Sequence, residues 1–238
     1  MEKKVWYITG ASKGLGLALI KSLLKKGHQV AASSRTLPAL IEAVGKDHPD
    51  FLPLEVDLSS EPSVATSVSN TNQHFGSIDV VVNNAAFGIG ENPILVIQKV
   101  MPYLRAQGSG HIINIASIAG FAGATGWADL MAQETCSPGI HVTTVAPGAF
   151  RTQFLSKDSP ALPRHATYLS IDGKQPGDPV KAAAALLQIA ASPEPPALLF
   201  LGSDAYSRAT AKMTELSQQI ANYPQGLPSL PVSLAIQS

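Results

Sequence analysis

What this chain lacks narrows its function before any motif is read. It has one cysteine, Cys136, among 238 residues, which excludes an internal disulfide and a cysteine-built zinc site. Neither sign of charge is in excess, with 17 Lys and Arg against 17 Asp and Glu. A protein that binds nucleic acid by neutralising phosphates normally carries a basic surplus. Charged residues are scarce at 14%, but 45% of the chain is hydrophobic, which excludes a disordered polymer. Long apolar runs are missing too. The longest, Ala182–Ala191, falls far short of the roughly 20 residues that span a bilayer. The start, Met1-Glu2-Lys3-Lys4, is basic, yet Thr9-Gly10 interrupts the apolar core a signal peptide would have. The six histidines show no metal-binding spacing such as H-x-x-x-H, and no internal repeat is present. These exclusions leave one α/β domain, expected in the cytoplasm, with no nucleic-acid and no membrane partner.

What is present is an alternation of short apolar runs with helical patterns. Strands are predicted at Val5–Ile8, Gln29–Ser33, Phe51–Val56, Ile78–Val82, His111–Ile115, Ile140–Val145 and Ala197–Leu201. Residues 14–26 read as a helix, with Gly16, Ile20, Leu23 and Leu24 on one face, Lys21, Lys25 and Lys26 on the solvated face, and Gly27 as its stop. Ile94, Ile97, Met101 and Leu104 mark a helix near 93–106. Asp178 and Pro179 are an N-cap followed by a proline at the first helical position, opening the Ala-rich run. A last helix is expected near 204–221, and the tail 222–238, with three prolines, reads as irregular. Strands that alternate with helices pair in parallel through right-handed crossovers. The expectation is a doubly wound parallel sheet covered on both faces, which suits the continuous apolar runs Val80–Val82 and Ile112–Ile113. Such sheets bind ligands at the carboxyl ends of their strands.

The first strand runs through Thr9-Gly10-Ala11-Ser12-Lys13-Gly14-Leu15-Gly16 into a helix. Glycines let backbone turn tightly and approach a ligand, and a helix N-terminus suits a pyrophosphate. An ordinary glycine-rich turn has the same look, so the partner elements decide. Asn83-Asn84-Ala85-Ala86-Phe87-Gly88 follows the fourth strand, Asn114-Ile115-Ala116-Ser117 the fifth, and Pro147-Gly148-Ala149-Phe150-Arg151-Thr152 the sixth. Together, in this order, they resemble the short-chain dehydrogenase/reductase family over residues 4–221: its cofactor loop, its NNAG element (with Ala86 for the glycine), its catalytic-serine segment and its PGxxxT element.

The resemblance implies a Rossmann-like single domain, a nicotinamide cofactor, and hydride transfer to a carbonyl or from an alcohol in a small-molecule substrate. It implies that Gly10, Ser12, Lys13, Gly14, Leu15 and Gly16 hold the cofactor loop. Asp57 and Leu58 match positions at the adenine, although Asp57 also suits a loop-capping role. Asn83 and Ala85 match the cofactor's central part, and Pro147, Gly148 and Thr152 the nicotinamide carboxamide. Family members that prefer NAD end the second strand in an acidic residue. Here that place reads Ser33-Ser34-Arg35, with no carboxylate. Arg35 suits a bidentate contact to a 2′-phosphate, and Lys13 adds positive charge, so the expected cofactor is NADP(H), the alternative being two solvated surface charges.

The family's acid is a tyrosine whose pKa a lysine four residues later lowers. Ser117 fits the serine that orients the substrate oxygen, but the tyrosine and lysine places read Leu130 and Glu134. No Tyr-x-x-x-Lys occurs in the chain. The loss resembles removed segments, with shortenings near 91, 128 and 164, all around the family's active site. Asn92 is an ambiguous match to the family's relay asparagine, and Tyr168 and Lys174, six apart, are wrongly spaced for one helix face. The helices that normally build the homo-oligomer interface are shortened as well, which puts that assembly in doubt. Three readings stay open: an NADP(H)-dependent oxidoreductase, a dinucleotide-binding protein without turnover, and a sequence that omits segments of the natural protein. Phe150, Phe154 and Leu155 suggest only that the substrate pocket is apolar.

Overall fold

The computed structural model describes residues 2–45, 48–85, 93–118, 138–152 and 173–222. Its elements in chain order are β1 (Val5–Ile8), α1 (Gly14–Lys25), β2 (Gln29–Ser34), α2 (Leu37–Val44), β3 (Phe51–Glu55), α3 (Glu61–Phe75), β4 (Val80–Asn83), α4 (Pro93–Gln107), β5 (Gly110–Ile115), β6 (Ile140–Pro147), α5 (Pro179–Ala190), β7 (Leu198–Leu201) and α6 (Ser203–Asn222). The seven strands form one parallel sheet in the order β3-β2-β1-β4-β5-β6-β7. The order reverses between β1 and β4, and this switch point opens a crevice at their carboxyl ends.

Side-chain alternation along each strand sorts the core into two layers. Trp6 and Ile8 face α1 and α5, where Leu19, Ile20 and Leu23 meet Ala183, Leu186, Leu187 and Ala190. Tyr7 and Ala31 face the other way, onto Val64 and Val68 of α3 and Val96, Ile97, Val100, Met101 and Leu104 of α4. Alanines on α5 let it lie directly beside α1 over the sheet. Lys21, Lys25 and Lys26 are exposed, as a solvated face requires.

Two helices escape the apolar-periodicity reading. In α3 the buried stripe is Val64, Ser67, Val68 and Thr71, half of it polar. It can be buried because Ser67 donates to Val64 O and Thr71 to Ser67 O, each at 2.8 Å, so both hydroxyls are satisfied within the helix. The legible signal was at its start, where Ser60 caps Ser63 N–H and Pro62 sits in the first turn. α2 spans only eight residues and buries Leu40 alone, too short a stripe to show periodicity.

Capping expectations meet their residues. Asp178 Oδ1 accepts from Val180 N–H at 2.8 Å, and Gly27 follows α1 with φ +78°. β5, β6 and β7 are tied below the site by a relay. Thr143 on β6 donates to Pro196 O at 2.7 Å, just before β7, and its oxygen lies 2.8 Å from Nε2 of the buried His111 on β5.

Candidate functional site

The loops after β1 and β4 are stitched together by side chains. Thr9 is buried, and its hydroxyl oxygen accepts from Asn84 N–H and Ala85 N–H, both at 3.1 Å. The Asn84 amide returns two bonds of 3.0 Å, to Thr9 O and Gly10 O. This closeness sets the glycine pattern. A Cβ on Gly10 would lie 2.6 Å from Ala85 Cα, and one on Gly16 2.6 Å from Asn84 Nδ2. Gly14 has φ +61°, and its position faces Thr152 across the crevice, so the β1 loop meets the loop after β6. Ala11 N–H reaches Ser33 O at 3.0 Å and anchors the same loop to β2.

α1 therefore begins inside this crevice with its first turn unprovided for. Its N-cap, Lys13, makes no side-chain cap, and no acidic residue lies in the first turn. Uncapped N–H groups and the helix dipole together form an anion site. Ser12 and Leu15 are half-buried there, and the Lys13 side chain is exposed.

Arg35 is exposed just beyond β2, and Ser34 is half-buried. The sequence shows no carboxylate at the end of β2, but the fold supplies one from β3. Glu55 pairs in register with Ser34, and its Oε2 accepts from Leu37 N–H, the first residue of α2, at 3.3 Å. Only the β2–β3 register puts it there. Asp57 adopts the loop role: its Oδ1 accepts from Ser59 Oγ at 2.6 Å and Ser59 N–H at 2.9 Å, and these bonds hold its carboxyl below the usual range. Leu58 is half-buried against the α3–α4 side of the core.

Asn83 ends β4 and Asn114 lies opposite on β5, with Asn83 Nδ2 donating to Asn114 Oδ1 at 2.8 Å. Asn83 Oδ1 is buried and has no partner among the described residues. Ser117 stands exposed two residues beyond β5, and the next residue, Ile118, is buried against Ala205 and Ala209. β6 ends at Pro147. Gly148 N–H donates to Leu201 O at 2.9 Å, and Ala149 N–H to Asp204 Oδ2 at 2.7 Å. A Cβ on Gly148 would collide with the Asp204 carboxylate, so this glycine is required by packing. Thr9, Asn84, Glu55 and Asp204 thus shape the site without having been singled out as site residues in the sequence. Thr9, at the start of the glycine-rich loop, and Asn84, inside the NNAG-like element, carried a local signal, and Glu55 and Asp204 did not.

Leu130, Glu134, Ala86, Asn92 and Tyr168 lie outside the described residues. Of the described tyrosines, Tyr7 is buried in the sheet, its hydroxyl 2.7 Å from Ser67 Oγ and its pKa pushed up by burial to about 12. Tyr103 is half-buried on α4 and Tyr206 exposed on α6. Lys174 is exposed.

A parallel sheet of this order, with a glycine-rich loop and an open helix N-terminus at its switch point, is a Rossmann-like α/β fold. The short chain dehydrogenase family model matches residues 4–94 and 91–162, and the chain belongs to that family. Oxidoreductase BOA17 of Botryotinia fuckeliana (strain B05.10) is 31% identical over 264 positions, covering 91% of this chain and 96% of that protein. The aligned length exceeds the 238 residues here, so the alignment opens gaps within this chain. A short-chain dehydrogenase from Streptomyces avermitilis superposes with TM-score 0.79 at 26% identity, covering 94% of this chain and 97% of that one. A short chain dehydrogenase/reductase from Burkholderia phymatum, solved in complex with NAD, shares the fold with TM-score 0.76 at 15% identity, over 97% and 98% of the two chains. No described helix is long and apolar enough to cross a membrane.

Proposed function

We propose that this chain binds NADP(H) across the carboxyl ends of β1, β2, β4 and β6, and that its chemistry is hydride exchange with a small carbonyl or alcohol compound, at low turnover. The observation that carries the reading is the uncapped start of α1, held open by the Thr9–Asn84 stitching. The residues present fit the cofactor. The glycine loop leaves its backbone N–H groups accessible to a pyrophosphate, and the orphaned Asn83 Oδ1 offers an acceptor at the centre of the crevice.

In this reading Gly10, Ser12, Lys13, Gly14, Leu15 and Gly16 hold the pyrophosphate side. Ser34 and Arg35 meet the 2′-phosphate, while Glu55 opposes it. Asp57 and Leu58 flank the adenine, Asn83 and Ala85 the central ribose, and Pro147, Gly148 and Thr152 the nicotinamide end. Ser117 orients the substrate oxygen. When bound, the cofactor supplies or accepts the hydride. The chain must then move a proton at the substrate oxygen, and a hydroxyl with an ordinary pKa is a poor acid for this near neutral pH. With Leu130 and Glu134 at the places of the tyrosine and lysine, that step is slow.

The two-stretch family match, whose stretches meet at residues 91–94, supports a shortening near 91, and the gaps in the alignment with Oxidoreductase BOA17 support further internal shortening, which this reading puts near 128 and 164 in the domain 1–221. Homo-oligomerisation is doubtful on the same ground, and a cytoplasmic location belongs to the same reading. The second reading, a dinucleotide binder without turnover, is favoured by the missing Tyr-x-x-x-Lys. Fluorescence titration with NADPH and NADH, followed by a carbonyl panel, tests both. Tighter NADPH binding with turnover lost in Ser117→Ala supports the oxidoreductase. Tight binding with no turnover leaves the binder, and equal or tighter NADH binding overturns the NADP(H) assignment.

A further inference from the structure

Asp204, in the first turn of α6, is where that helix grips the loop after β6. Its Oδ2 accepts from Ala149 N–H at 2.7 Å. Two glycines make room for this one carboxylate. A Cβ on Gly148 would collide with it, and one on Gly202 would lie 2.9 Å from Asp204 Oδ1. Gly202 also has φ +108° where the chain passes from β7 into α6, a conformation that suits glycine. From its own side the carboxylate sits at the positive end of the helix dipole.

The same stretch of α6 seats a second segment of the candidate site. Ala205 and Ala209 are buried against Ile118, the residue that follows Ser117. The loop after β6 is further tied to β7 by Gly148 N–H, which donates to Leu201 O at 2.9 Å. Segments that leave two different strands thus rest on the start of one helix, 55 residues beyond Ala149 in the chain.

We infer that Asp204 is a positioning residue, an inference that rests on the cofactor reading above. By holding Ala149 it fixes the Pro147–Thr152 loop on α6, and so fixes the spacing between that loop and Ser117. Asp204 acts through the backbone it holds and touches neither cofactor nor substrate. Its task needs an acceptor at one place, and a bond from N–H to a carboxylate is stronger than one between neutral groups. Reacting groups displaced by about 1 Å lose much of their rate, which is why a brace behind the site matters.

The test compares wild type with Asp204→Ala, Asp204→Ser and Asp204→Asn. Alanine has no acceptor, serine is one bond too short to reach Ala149 N–H, and asparagine keeps an oxygen there. The probes are NADPH and adenosine 2′,5′-bisphosphate, which lacks the nicotinamide. Asp204→Ala and Asp204→Ser are expected to weaken NADPH about fivefold and to leave the bisphosphate within twofold. Asp204→Asn restores NADPH binding to within twofold of wild type. In the ligand-free protein the Ala149 amide exchanges its hydrogen faster in the alanine and serine variants than in the other two. Unchanged NADPH affinity in both of those variants overturns the inference. Equal weakening of both probes also overturns it, because that marks a general loosening of the fold. So does an asparagine variant as weak as alanine, which makes charge rather than the held loop the cause. If Asp204→Ala does not fold, Asp204→Ser decides the same comparison. The cofactor reading fails separately, when wild type itself binds neither probe.

Discussion

Acidification is expected to weaken this fold through one side chain, His111. Thr143 has a single hydroxyl proton, and Pro196 O can only accept, so that proton goes to Pro196. Thr143 Oγ1 must then accept from His111 Nε2–H, which fixes the neutral tautomer with Nδ1 bare. A second proton would go onto Nδ1 of a ring only 5% exposed. Burial lowers the pKa from 6.5 to about 4, helped by the charges of His141 and Lys4. Between these values the unfolded chain binds the proton and the folded chain does not. This contribution to stability is complete above pH 6.5, declines as pH falls through 6.5 toward 4, and is flat below. At about 1.4 kcal/mol per pH unit the loss is about 2 kcal/mol at pH 5 and about 3 kcal/mol at pH 4. That is a large part of the stability of a domain this size. Urea unfolding followed by circular dichroism at pH 7.5, 6.5, 5.5 and 5.0 measures it against His111→Gln, which keeps an N–H donor for Thr143 but does not titrate. His28, also buried and also held below its usual pKa, is common to both proteins and cancels. Wild type should lose about 2 kcal/mol more than the variant between pH 7.5 and 5.0. Parallel losses within about 0.5 kcal/mol, or an NMR titration of His111 near 6.5, would refute the reasoning.

Three further outcomes follow from the same geometry. Arg35→Ala should weaken NADPH about tenfold and leave NADH within twofold, whereas Glu55→Gln should strengthen NADPH about threefold, both effects shrinking at high salt in paired titrations. Gly148→Ala should cost about 2 kcal/mol in urea unfolding, because the new methyl drives Asp204 away from Ala149 N–H. Asp178→Ala removes the cap on Val180 N–H and should cost about 1 kcal/mol, while Asp178→Asn should restore most of it.

Legibility varied from place to place along the chain for physical reasons. α1 and α5 were readable because each carries a full apolar stripe and a local start or stop, Gly27 for one and Asp178-Pro179 for the other. α3 was not, because Ser67 and Thr71 bury themselves by bonding their own helix. At the site, Gly10, Gly14 and Gly16 were legible as a loop, yet the reason for Gly10 and Gly16 is the approach of Ala85 and Asn84, some 70 residues away in sequence. The end of β2 carries no carboxylate of its own, and Glu55 comes to it from the neighbouring strand.

By itself the sequence determined the strands and most of the helices, the four strand-end elements and the absence of a Tyr-x-x-x-Lys pair. Periodicity, caps and contiguous motifs are local, and a linear chain displays them directly. Only the tertiary structure decided the strand order, the pairing of Glu55 with Ser34, the packing of Asp204 on Gly148 and the meeting of Gly14 with Thr152. Each joins residues whose separation in sequence carries no signal. They meet because parallel crossovers bring the carboxyl ends of the strands to one edge of the sheet, where loops distant in the chain must share a single crevice.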